Sequence, residues 1–130
     1  MSGTTSSDHR YSELSPNPGE RLFRLCKQGH VDSETGDIGY WLFKNSSEDG
    51  MMSVDAERCR PEEEECNRAA ATGWGVVAVP AEKCLELKQA LIYWPEPENA
   101  AHVQVVGPKP QSQQKRFADM ARLVLRPPRD

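Results

Sequence analysis

The chain has 130 residues, with 16 Lys and Arg against 20 Asp and Glu, a formal net charge of -4 and a mean hydropathy of -0.72. That length supplies one hydrophobic core of ordinary size, which argues against a two-domain enzyme with an interdomain cleft. The best apolar runs, Gly73–Val79 and Ala100–Val106, are far shorter than the roughly 20 residues of a membrane span, and the residues after Met1 hold no secretory-type apolar stretch, so the expected location is cytoplasmic, without membrane attachment.

Residues 1–19 are rich in Ser, Thr, Pro and Gly, with Tyr11 and Leu14 the only sizeable apolar side chains. Such a segment buries too little to offset its ordering entropy, so it reads as a flexible N-terminal arm before a single domain over residues 20–130. Arg21–Cys26 reads as a first strand, and the polar stretch from Gly29 to Gly39 as a loop. Tyr40–Phe43 has the aromatic content of a strand, and the turn-forming residues 45–50 lead into the apolar Met51–Val54, suggesting a hairpin.

Pro61 followed by Glu62, Glu63, Glu64 and Glu65 is a helix opening, with Pro at the first position and carboxylates at the positive helix end. Cys66, Ala69 and Ala70 continue it at helical spacing, and Gly73 is the expected stop. Trp74–Val79 is apolar on both strand faces and is expected in the centre of the sheet. A short helix over Ala81–Lys88, a strand over Ala90–Trp94 and a half-buried strand over Ala101–Val106 follow. Ser112 is the expected cap of a last helix, whose Phe117, Met120, Ala121 and Val124 form a core-facing stripe. The expected fold is therefore a small α+β domain, its sheet mixed or mainly antiparallel with about five strands, carrying two short helices and a basic C-terminal helix.

Cys26, Cys59, Cys66 and Cys84 include no C-x-x-C pair and no accompanying zinc-finger histidines, so no metal site and no cofactor are expected. Buried, reduced thiols are the simplest reading; Cys26, between Arg24 and Lys27, is the one whose neighbours would favour a thiolate. No phosphate loop, H-E-x-x-H helix or G-x-S-x-G elbow is present.

Charge is divided along the chain. Residues 46–66 hold eight acidic against two basic residues, whereas residues 107–130 hold six basic against two acidic. With no catalytic signature, the leading expectation is an accessory or adaptor protein that binds a larger protein partner, contacted through Lys115, Arg116, Arg122, Arg126 and the aromatic Trp94. Nucleic-acid binding through the C-terminal helix is the weaker option, because the sequence lacks a stacking platform and a basic overall balance. An immunity- or antitoxin-like inhibitor, its acidic segment covering a basic site, is a further alternative. The catalytic alternative is a small hydrolase or group transferase that uses His102 with His30 and Ser53 as base, second imidazole and hydroxyl, provided the fold brings the three together.

Overall fold

Strand alternation sorts the apolar residues into two layers, one on each side of a sheet. Leu22, Met52, Val54, Ala56, Val77, Val79, Leu91, Val103 and Val105 share one face and form the main core. Phe23, Val76 and Ala78 face the other way into a smaller cluster. The computed structural model describes residues 11–45 and 50–128. Its sheet contains β1 (Ser12–Glu13), β2 (Arg21–Cys26), β3 (Met51–Ala56), β4 (Gly75–Pro80), β5 (Ala90–Tyr93), β6 (His102–Val106) and β7 (Arg122–Leu125). The spatial order is β1-β5-β6-β3-β2-β4-β7, and every pairing is antiparallel. Among the described residues the three α-helices are α1 (Glu62–Ala71), α2 (Ala81–Glu86) and α3 (Gln111–Met120), which makes the fold α+β.

Cys84 of α2 and Phe117 of α3 close the main core, where Phe117 stacks on Phe43 with ring centroids 5.5 Å apart. Ala69 of α1 covers the smaller cluster and leaves the β3–β6 half of that face open. The end of α1 follows the sequence signal at Gly73. Trp74 N–H donates to Ala69 O and Gly73 N–H to Ala70 O, while Gly73 takes φ +81°, a conformation a side chain disfavours.

Several expectations change. Among the described residues the sheet has seven strands rather than about five. Residues 1–10 of the expected flexible arm lie outside the described residues; in the rest of it, Ser12 and Glu13 pair with Tyr93 and Ile92, Leu14 is buried, and Tyr11 packs on Trp94. Tyr40–Phe43 is a 3-10 turn, so no hairpin forms with β3, which pairs instead with β2 and β6. The reason is that the consecutive residues Leu42 and Phe43 are both buried in the same core, which strand alternation forbids.

The last helix ends at Met120, and Arg122–Leu125 pairs with β4 as an edge strand. The helical match of Val124 was a coincidence of spacing; Val124 joins the smaller cluster while Leu123 packs on the main core. The basic residues therefore do not share a helix, since Lys115 and Arg116 lie on α3, Arg122 on β7 and Arg126 beyond it. Caps also differ. Pro61 and Pro80 stand just before their helices rather than at the first position, and Pro110, not Ser112, is the cap of α3. The apolar strand β4 lies one strand from the sheet edge, not at its centre, and is buried because helices cover both its faces.

Candidate functional site

The sheet opens where β2 and β3 part. Their ladder contains only Leu22↔Ala56 and Phe23↔Asp55, although β2 continues beside β4 to Cys26 and β3 beside β6 back to Met51. The guanidinium of Arg24 fills the resulting gap. It donates to Ser53 O at 2.7 Å, Leu42 O at 3.1 Å and Lys44 O at 3.4 Å, replacing ladder bonds that the splayed strands cannot make. Burial pulls Arg24 down to about 10.

Beside this splay lies a cavity of about 430 Å3, lined by Arg24, His30, Ser53, Asp55, Arg68, Trp74, Glu96, Asn99 and His102 among others. Ser53 and Asp55 are two residues apart on β3 and therefore share its open face. Asp55 pairs opposite His102 of β6, which makes Ser53 the diagonal neighbour of His102. His102 Nε2 lies 3.1 Å from Ser53 Oγ, and its Nδ1 lies 2.8 Å from Trp94 O. A carbonyl oxygen only accepts, so Nδ1 carries the proton; in the neutral ring Nε2 is then the acceptor, and the Ser53 hydroxyl donates to it. Glu96 Oε1, 3.7 Å from Nδ1, adds a carboxylate on the same side of the ring.

His30 lines the same cavity from the 3-10 turn Gln28–His30. Its Nδ1 accepts from the Lys27 backbone N–H at 2.9 Å, so the neutral ring carries its proton on Nε2. Burial, with the Arg24 and Lys27 charges, lowers its pKa and favours that neutral form. The three residues singled out as a possible catalytic group therefore share one cavity. Contact is established for Ser53 with His102, while His30 stands in the lining.

A buried charge cluster backs the site. Asp55 accepts from Asn99 Nδ2 at 2.8 Å and has Nη1 of Arg60 and of Arg68 each at 3.4 Å. Glu65, fully buried on α1, lies 3.2 Å from Arg60, and its Oε2 has no hydrogen-bond partner. Burial and the adjoining Asp55 push Glu65 up to about 8. Sequence reasoning missed Asp55, Glu65 and Arg68 as parts of the site. A signal existed for Asp55, because any strand face holding Ser53 also holds Asp55; Glu65 and Arg68 were absorbed into the reading of a solvated acidic helix.

The residues expected to contact a partner are scattered. Lys115 Nζ lies over the Tyr40 ring at 5.4 Å, Arg122 is exposed on the edge strand, and the Arg126 guanidinium lies against Gly36. Trp94 is half-buried, its ring 4.0 Å from that of Tyr11, which covers one face of the expected anchor. Cys26 is buried with its thiol pushed up to about 11, which corrects the thiolate expectation: burial outweighs the basic neighbours in sequence. All four cysteines are free, and Cys59 is exposed. Among the described residues no group of three or more His, Cys, Asp or Glu could hold a metal ion, and no helix is long and apolar enough to cross a membrane. The chain matches no protein-family model, no curated protein and no solved structure.

Proposed function

We propose that the protein is a small hydrolase or group-transfer enzyme in which Ser53 is the nucleophile and His102 its general base. The observation that carries this reading is the His102 ring, anchored through Nδ1 on Trp94 O at 2.8 Å with Nε2 at 3.1 Å from Ser53 Oγ. A serine hydroxyl is a poor nucleophile unless a base takes its proton as the new bond forms, and this tautomer presents the base lone pair to Oγ. His102 then returns the proton to the leaving group, and a water activated by the same ring releases the acyl group from Ser53. The backbone carbonyl fixes the ring orientation, the part that a buried carboxylate plays in other serine–histidine pairs.

A fluorophosphonate probe tests the assignment by covalent labelling read by mass spectrometry. Label on Ser53, absent in Ser53→Ala and formed at least ~100-fold more slowly in His102→Gln, is the expected outcome for a nucleophile that depends on its base. No labelling above the rate of a free serine overturns it.

A second reading, an accessory protein bound to a larger protein partner, draws on a different region. Beside the edge strand β7 runs a groove of about 700 Å3, lined by Arg21, Lys83, Arg122, Val79, Leu123 and Glu62. A strand edge unpaired among the described residues and flanked by apolar and cationic side chains suits an extended acidic segment added as a further strand. For the inhibitor alternative, Glu57 and Glu62 pair with Arg21, and Asp55 and Glu65 with Arg60, which leaves Glu63 and Glu64 as the exposed carboxylates of α1 without an ion pair among the described residues.

A further inference from the structure

We propose that the Ser53–His102 cavity takes a substrate bearing a carboxylate, which Arg68 binds one strand step from the reacting hydroxyl. This rests on the reading of Ser53 as nucleophile and adds the substrate class.

Arg68 stands apart from the other two guanidinium groups near the site. Arg24 is spent on three backbone carbonyls, and Arg60 on Asp55, Glu65 and the Asn99 side chain. Among the described residues, Arg68 makes a single side-chain contact, its Nη1 with Asp55 Oδ2 at 3.4 Å, although a guanidinium has five N–H donors. Its side chain is 37% exposed and lines the cavity, so the remaining donors are accessible to a bound group.

Charge around Arg68 leaves a deficit of one anion. Asp55 and Glu65 are adjoining carboxyls, and such a pair holds one negative charge between them because two at that distance repel. The unpartnered, buried Oε2 of Glu65 agrees with that, since an ionised oxygen there would be strongly penalised. Against that one charge stand Arg60 and Arg68. The cluster around Asp55 therefore retains a surplus positive charge, and the accessible guanidinium that carries it is Arg68.

Geometry fixes how far the carboxylate lies from the chemistry. Arg68 touches Asp55, and Asp55 is two residues from Ser53 on the same strand face, about 7 Å away. A substrate whose carboxylate is two to four bonds from its acyl carbon spans that gap, and its planar anion matches the planar fork of a guanidinium. A singly charged carboxylate matches the one guanidinium left free beside Asp55.

The test uses the full chain with mono-4-nitrophenyl succinate and 4-nitrophenyl acetate as ester probes and succinate as a non-reacting ligand. The wild type is expected to favour the anionic ester by at least ~10-fold in kcat/KM, with that ratio falling at least ~10-fold in Arg68→Ala and partly restored in Arg68→Lys. Succinate, titrated by calorimetry into wild type and Ser53→Ala, is expected to bind both alike and Arg68→Ala at least ~10-fold more weakly. Equal losses on both esters in Arg68→Ala, succinate binding that does not depend on Arg68, or tighter binding of methyl phosphate than of succinate would each overturn the proposal. If neither ester turns over but succinate binding still needs Arg68, the nucleophile reading fails and the carboxylate site stands.

Discussion

Glu65 carries the least comfortable charge in the molecule. It belongs to a run of four glutamates that favour a helix start through the helix dipole, yet it alone of the four is buried, against Asp55. Facing it are Arg60 from the turn before α1, Asp55 from β3 and, through Asp55, Arg68 of α1 and Asn99 of the β5–β6 connection. A carboxyl raised from 4.5 to about 8 on folding stabilises the fold most fully below the lower value and loses that contribution as pH rises through the upper one. Wild-type stability relative to Glu65→Gln should therefore fall by ~1–3 kcal/mol between about pH 5 and pH 9, because the amide cannot ionise. Urea denaturation of both proteins across that range measures the difference, and parallel curves would show that Glu65 does not titrate there.

Arg24 shows how one residue can serve both strand and site. The sequence pattern places it as one of two basic residues in an apolar strand. Nothing local foretells that β3 departs from β2 after Phe23, so the role of Arg24 in bonding the freed carbonyls was hidden in the sequence. The Ser53–His102 contact was half legible. Both residue types stood out, but their meeting depends on the β3–β6 register, set by residues 49 positions apart along the chain.

At the level of elements, β7 is held by a close approach that only glycine permits. A Cβ on Gly75 would lie 2.5 Å from Leu125 O and 2.5 Å from Pro127 N, both backbone atoms that have no flexible end to move. Gly75→Ala should therefore displace β7 and cost on the order of 2–3 kcal/mol, with amide exchange accelerated in β7 and the facing residues of β4 but not in β3 or β6. Protection of β7 equal to wild type would show that the approach relaxes without cost. The helices were better foreseen than the strand ends: the Pro61 start and the Gly73 stop of α1 are local chemistry, whereas β7 exists because β4 needs a partner along its outer edge.

Over the whole molecule, ion pairs take up part of the charge division seen along the sequence. Asp55, Glu57, Glu62 and Glu65 pair with Arg21, Arg60 and Arg68 while Glu63 and Glu64 stay exposed, and Lys115, Arg116, Arg122 and Arg126 spread over α3, β7 and the residues beyond it. If a partner does bind, the β7 groove is where the accessory-protein reading places it, and Arg122→Glu should weaken capture of that partner at least ~10-fold more than Lys115→Glu, which lies away from the groove. Affinity capture of the full chain with each variant, quantified against wild type, measures this, and equal recovery with both variants would remove β7 as the contact.

By itself the sequence determined what depends on neighbours along the chain: β2, β4, β5 and β6 from alternation and apolar runs, α1 and α2 from their caps and spacing, and a small α+β domain from their sum. Tertiary structure decided what depends on distant partners. Leu42 and Phe43 turn into a 3-10 turn because one core claims both, the chain from Ser12 pairs with β5 as an edge strand, and the last helix yields its end to β7. The cavity belongs to this second class, because Ser53, Arg68 and His102 acquire their relation only through strand register and the packing of α1, where long-range burial and hydrogen bonding outweigh local preference.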